Sequence, residues 1–216
     1  MKLDTNVSTL INDIVNSDNT ATFVYAPSEC DKEGFLNDVA ARFDISYRFN
    51  AVVEDLRQFA VVLADKILAD DPLTLRRIKQ ILFCDSRYNG VDVAIRTVLD
   101  RLAISDKSCL LIFERLEMLP EGTGFEKYVY LISKAPKNVK IVLSSDKYLN
   151  VRFRELEPKC PLIVDASALQ KCTDYCTPEM YLTALDMEEV ALLGYLGDYG
   201  FFPEKLASLL PGAAEK

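Results

Sequence analysis

The sequence predicts an α/β domain built on a parallel sheet flanked by helices and followed by a small all-α segment. Short runs of strand-forming residues alternate with segments of helical apolar spacing, as in parallel strands joined by helices. Residues 109–113 are wholly apolar between charged pairs, as expected of a central strand covered on both faces. The alternation stops near Gln170, after which only helical patterns remain. We therefore divide the chain into an α/β domain over 1–169 and a helical appendage over 170–216.

Each element follows from its own local pattern. Apolar residues recur three and four positions apart in the predicted helices, which cover 7–15, 35–43, 53–68, 75–83, 91–102 and 125–132. The predicted strands are short runs of β-branched, aromatic or other apolar residues, at 22–26, 45–49, 109–113, 139–143 and 161–164. The appendage has helical patterns over 177–195 and 204–210.

Composition excludes several classes of function. The 216-residue chain has a formal net charge of −8, so we expect no direct binding of nucleic acid by this segment. The N-terminus lacks the basic and apolar regions of a signal peptide, and no apolar run reaches the length of a membrane span. We expect a cytoplasmic protein that does not bind membranes.

The cysteines and the missing histidines limit the possible chemistry. There are six cysteines and no histidine, and only Cys172 and Cys176 form a close pair, so we predict no metal site. We expect reduced, buried thiols. No Cys or Ser stands in a recognisable nucleophile context, and without histidine a general base would have to be a carboxylate, a cysteine or a lysine.

One loop has the context of a phosphate-binding site. The strand at 22–26 runs into residues 26–35 and then into a helix, and Lys32 occupies the lysine position of such a loop. A working loop also needs glycines whose backbone wraps the phosphates and a Ser or Thr that ligates magnesium. Asp31 and Glu33 occupy those places and would repel a triphosphate. A lysine between two acids on a solvated loop is the alternative interpretation.

Two further candidates follow predicted strands. Glu114 comes directly after residues 109–113, where nucleotide hydrolases place an acid that holds magnesium or polarises water. Ser145 follows residues 139–143, at a strand end that commonly carries a phosphate-sensing polar residue. The alternatives are an ordinary polar strand end and an ordinary loop start.

In order and spacing, residues 23–165 resemble the nucleotide-binding domain of the MalT-like regulators. These form a branch of the STAND class of AAA+-related P-loop ATPases, found in large LuxR-type transcription factors. Their loop typically reads Ala-Pro-Ala-Gly-Tyr-Gly-Lys-Thr-Thr-Leu, which Ala26, Pro27, Lys32 and Phe35 match. The appendage resembles a shortened lid and the start of the winged-helix-like module that follows in that family. The resemblance implies Glu114 as the catalytic acid, and it implies nucleotide contacts at the positions of Ala26, Pro27, Ser28, Lys32, Glu33 and Ser145.

The same comparison identifies what this chain lacks. Asp31 replaces the loop glycine, Glu33 the magnesium-binding hydroxyl, Arg115 the second acid after the apolar strand, and Asp146 the arginine that follows Ser145. We therefore predict a degenerate ATP site that does not hydrolyse nucleotide and binds ATP or ADP weakly or not at all, with the role of magnesium left open.

The sequence is compatible with three functions. The first is the N-terminal regulatory domain of a LuxR/MalT-like regulator, acting on its own C-terminal domains or on protein partners and able to oligomerise. The second is an atypical but working ATPase, in which Lys32 holds phosphate and Glu114 holds magnesium. The third is a stand-alone protein-interaction module.

Overall fold

A computed structural model of the chain describes residues 7–26, 30–50, 55–84, 89–119, 125–146 and 162–164. Its helices are α1 (Val7–Asn16), α2 (Lys32–Ala40), α3 (Leu56–Ile67), α4 (Pro72–Cys84), α5 (Asn89–Ile104) and α6 (Glu126–Lys134). Its strands are β1 (Ala21–Tyr25), β2 (Ile45–Asn50), β3 (Cys109–Glu114), β4 (Val139–Ser145) and β5 (Leu162–Val164). The elements predicted in these ranges are confirmed, with bounds that shift by a few residues. The predicted appendage at 170–216 lies outside the described residues.

The strands form one five-stranded sheet in the order β2-β3-β4-β1-β5, and all their pairings are parallel. The predicted α/β class, a parallel sheet flanked by helices, is therefore confirmed. After β1 the chain crosses to β2 at one edge of the sheet, whereas after β4 it crosses to β5 at the other edge. Connections that diverge from neighbouring strands leave a crevice at the carboxyl ends of those strands, here β1 and β4, and such crevices are where open α/β sheets bind ligands.

Side chains that alternate along the strands build a core on each face of the sheet. Phe23, Leu111 and Leu143 pack with buried residues of α3, α5 and α6. On the other face, Val24, Ile112 and other strand residues pack with buried residues of α1 and α2. Because helices cover both faces, every residue from 109 to 113 is buried, as its apolar run predicts.

Helix α4 contributes to the core on the face that α3 and α5 cover. It contacts α3 and α5, and of its own side chains only Ile78 and Leu82 are buried. Pro72 occupies its first position, where a missing N–H costs nothing, and the Asp71 carboxylate accepts a hydrogen bond from the Thr74 backbone N–H at 3.1 Å. Hydrogen bonds from Thr74 lower the pKa of Asp71. The helix therefore has a well-defined start and a largely solvent-facing surface.

The cysteines differ partly from expectation. Cys109 is free and buried, as predicted. The prediction of reduced, buried thiols is wrong at two other positions, because Cys84 is free but exposed and Cys30 is buried but disulfide-bonded. Burial raises the pKa of the Cys109 thiol to about 12, which keeps it protonated and unreactive. No helix in the described ranges is long and apolar enough to cross a membrane.

Candidate functional site

The loop that the sequence singled out lies at the carboxyl end of β1. Ala26 is fully buried beside the end of β4, and its N–H donates to the Ser145 carbonyl at 3.3 Å. Pro27 and Ser28 lie outside the described residues. Lys32 is the first residue of α2, so strand, loop, lysine and helix follow one another as in a phosphate-binding loop. The fold is therefore P-loop NTPase-like.

The Lys32 ammonium group is bound by the protein itself. Its Nζ donates to the Ala26 carbonyl at 2.7 Å and to the Ser145 carbonyl at 3.1 Å, and it forms an ion pair with the Asp146 carboxylate. A lysine ammonium has three N–H donors, and here each has an acceptor. The side chain is only 10% exposed. Lys32 therefore points to the ends of β1 and β4, and no donor is left over for a phosphate.

Asp146 supplies the negative charge that a phosphate oxygen would bring to this lysine. It is the residue after β4, and its own N–H donates to the Glu117 carboxylate at 3.0 Å. Glu117 belongs to a short 3-10 turn, Leu116–Met118, that follows β3. The loops after β3 and β4 thus hold Asp146 in place beside Lys32, although its side chain keeps 41% of its surface exposed.

A second carboxylate occupies the N-terminus of α2. The Asp31 side chain caps the helix by accepting a hydrogen bond from the Gly34 N–H at 2.8 Å. A helix N-terminus is a favourable place for an anion, and phosphate-binding loops use that property. A Cβ on residue 34 would collide with the Asp31 carboxylate, so the glycine permits this close cap. The two anion-attracting groups of the loop are therefore both matched by carboxylates of the chain itself.

Glu114 is held by a different partner. It is the last residue of β3, and its Oε1 lies 3.4 Å from Nη1 of Arg48 on the neighbouring strand β2. The same guanidinium donates to the Asn37 side chain on α2 at 2.7 Å. The predicted catalytic acid thus lies at the carboxyl edge of the sheet, where the sequence placed it, but it is paired with a cation that the sequence did not identify.

The residue after Glu114 takes an unusual backbone conformation. Arg115 has a φ of 65° and is left-handed, a conformation that costs a non-glycine residue about 1–2 kcal/mol. It begins the 3-10 turn that carries Glu117 to the Asp146 N–H. The position where the resemblance expects a second magnesium-binding acid therefore serves to shape a loop.

Of the seven predicted site residues, Pro27 and Ser28 lie outside the described part of the chain, and the other five fall into two groups. Ala26, Lys32 and Ser145 are brought together as direct contacts. Glu33 lies on the exposed side of the first turn of α2, and Glu114 is paired with Arg48. Within the described ranges, no cluster of Cys, Asp and Glu side chains is arranged to hold a metal ion.

Sequence reasoning missed the partners that decide the state of the site. In the sequence, Asp31 and Asp146 stand out only as departures from a working motif, although each matches a positive group of the loop. Asp31 carried a usable signal, since aspartate is a preferred helix cap three residues before the N–H that it binds. No sequence signal identified Glu117, because its hydrogen bond with the Asp146 N–H depends on a turn that has no periodic pattern.

No protein-family model matches the chain, and no curated protein matches it. Among solved structures, it is similar to the Walker-type ATPase PABY2304 of Pyrococcus abyssi, with a TM-score of 0.43 and 11% identity over 99% of this chain and 64% of that one. It is also similar to Drosophila ORC bound to AT-rich DNA and Cdc6, with a TM-score of 0.46 and 11% identity over 94% of this chain and 75% of that one. A third similar structure is the Aeropyrum pernix ORC1 protein in complex with DNA, with a TM-score of 0.46 and 14% identity over 89% of this chain and 54% of that one. The chain thus spans less than two thirds of the Pyrococcus and Aeropyrum proteins.

Proposed function

We propose that this chain is a regulatory switch domain that keeps a P-loop NTPase-like fold but does not hydrolyse ATP. The observation that carries the proposal is the state of Lys32, whose ammonium group is bound by two backbone carbonyls and by the Asp146 carboxylate. A lysine bound in this way neutralises a charge of its own chain and leaves the phosphates of a nucleotide without their usual partner.

Electrostatics oppose the entry of a nucleotide at this site. A phosphate group would have to displace Asp146 from Lys32 and would then lie near the carboxylates of Asp31 and Glu33. Two like unit charges 4 Å apart near a protein surface repel by about 4 kcal/mol. Magnesium could offset part of that repulsion, but the candidate acid Glu114 is already paired with Arg48. ATP or ADP therefore binds weakly or not at all.

The proposed role is that of the N-terminal regulatory domain in a LuxR/MalT-like transcription factor. The support is the layout of the motifs along residues 23–165 and the eroded positions within them. In that role the domain acts in the cytoplasm through the regulator's C-terminal domains or protein partners. DNA binding lies elsewhere in the protein, in agreement with the net charge of −8 on this segment. A reading frame that continues past residue 216 into a basic helix-turn-helix would support this role.

A second candidate is an atypical ATPase in which Asp146 moves aside. The observation in its favour is the 41% exposure of the Asp146 side chain, which leaves room for the carboxylate to turn into solvent. Lys32 would then hold phosphate and Glu114 would hold magnesium.

A thermal-shift measurement with magnesium and millimolar ATP separates the two candidates. Ligand at about 1,000 times its Kd stabilises a folded protein by about 4 kcal/mol. For a chain of this size, that corresponds to a rise in Tm of about 10 °C. We expect no such rise for the wild-type protein. A rise in Tm that the substitution Lys32→Ala abolishes would contradict the switch-domain proposal and support the atypical ATPase instead.

A further inference from the structure

A groove runs along one side of α4. It is a shallow, open groove with a volume of about 380 Å³, and the residues that line it include Pro72, Leu75, Arg76, Lys79 and Phe83. These positions are spaced three or four apart, so they share one face of the helix. None of them belongs to the Lys32 site, so the groove is a separate feature of the fold.

The floor of the groove is apolar and open to solvent. Phe83 is 76% exposed, and its aromatic ring lines the groove together with Leu75 and Pro72. Leu73, in the first turn of the same helix, is 81% exposed. A single exposed apolar side chain needs no explanation, but an aromatic anchor in a lined groove has the composition of a protein-binding site.

Positive charge lies in and beside this apolar floor: Arg76 and Lys79 line the groove, and Arg77 is exposed next to it on α4. The thirteen residues of α4 include Arg76, Arg77 and Lys79 and no acidic residue, although the whole chain has a net charge of −8. Lys79 forms an ion pair with Asp65 of α3 at 2.6 Å. Arg76 and Arg77 are exposed, and neither forms an ion pair with another residue in the described part of the chain.

We propose that the α4 groove is a docking site for an acidic amphipathic helix of a protein partner. The apolar face of that helix packs on Phe83 and Leu75, and its carboxylates lie against Arg76 in the groove and Arg77 beside it, as in other helix-in-groove complexes. Complementary charge of this kind selects the partner and its orientation.

The other possible occupants fit the charges less well. A second copy of this chain, paired through α4 around a two-fold axis, would bring the arginines of one helix against those of the other. A nucleic acid would meet three cations on α4 and a chain of net charge −8 around them. A partner rich in Asp and Glu avoids both conflicts.

The test selects helical peptides from a charge-unbiased display library against the whole chain. Affinities of the enriched peptides are then measured by fluorescence anisotropy for the wild type and four variants. Phe83→Ser and the double variant Arg76→Glu/Arg77→Glu alter the groove. Ile104→Ser and the double variant Lys107→Glu/Lys137→Glu are matched controls, because Ile104 is 77% exposed and Lys107 and Lys137 are exposed cations elsewhere on the surface.

We expect enriched peptides that combine acidic residues with apolar residues at helical spacing. Their Kd should rise by about tenfold or more in the two groove variants and by less than about twofold in the controls. Failure to enrich such peptides, enrichment of non-acidic ones, or equal losses in the controls would overturn the proposal. Duplex DNA binding or self-association that the groove variants abolish would overturn it in favour of those occupants.

Discussion

Replacing Phe113 by alanine is expected to lower the free energy of unfolding by about 3–5 kcal/mol, the usual cost of removing a large aromatic side chain from a packed core. Phe113 is 1% exposed and lies in the interior strand β3, one residue before Glu114. Its ring centroid lies 5.0 Å from those of Phe49 and Tyr128 and 5.7 Å from that of Phe59. The substitution therefore removes contacts to β2, α3 and α6 at once, and the rigid sheet around it cannot close the cavity.

Urea unfolding followed by circular dichroism measures this loss. Phe83→Ala is the matched control, because it makes the same chemical change at a side chain that is 76% exposed. Exposed substitutions of this kind usually change stability by no more than about 0.5 kcal/mol. Equal effects of the two substitutions would show that the aromatic cluster under β3 is not packed as described.

Replacing Lys32 by methionine should also destabilise the protein, because its ammonium group bonds to the protein rather than to solvent. Methionine keeps an unbranched, mainly apolar stem, but it removes the hydrogen bonds that Lys32 donates to the Ala26 and Ser145 carbonyls and the ion pair with Asp146. The Ser145 carbonyl keeps its hydrogen bond from the Ala26 N–H. Leaving buried acceptors unsatisfied costs about 1–3 kcal/mol each, less where solvent can reach them. We expect a total loss of about 2 kcal/mol.

A double-mutant cycle isolates the ion pair within that loss. Asp146→Asn keeps the shape and an oxygen acceptor but removes the charge, and because Asp146 is 41% exposed we expect a loss of only about 1 kcal/mol. Lys32→Met and Asp146→Asn together should cost less than the sum of the single changes by about 0.5–1 kcal/mol. A solvent-facing, phosphate-ready lysine would show no coupling, and its substitution by methionine would leave stability unchanged.

The local elements of the fold were predictable because each follows from the residues within it. The wholly apolar run at 109–113 predicts a strand covered on both faces. In the structure every residue of that run is buried, and β3 lies inside the sheet between β2 and β4. The order of the strands is a property of contacts between distant segments and was not predicted. The turn at Leu116–Met118 was missed because it spans three residues and begins at a left-handed arginine.

The sequence predicts where the site lies, but it does not predict which groups of the protein bind Lys32. The order of strand, lysine and helix placed Lys32 correctly at the carboxyl end of β1. Its ionic partner, Asp146, lies 114 residues further along the chain, and its hydrogen bond to Glu117 depends on two loops meeting in space. A sequence motif identifies which residues are missing from a working site, whereas only the three-dimensional contacts identify what has replaced them.

The measurement that tests the central claim most directly is a crystal structure grown with magnesium and a non-hydrolysable ATP analogue at millimolar concentration. We predict that Lys32 Nζ stays bonded to the Ala26 and Ser145 carbonyls and to Asp146, with no triphosphate beside it. A triphosphate bound to Lys32, with Asp146 turned into solvent and magnesium held by Glu114, would contradict the account.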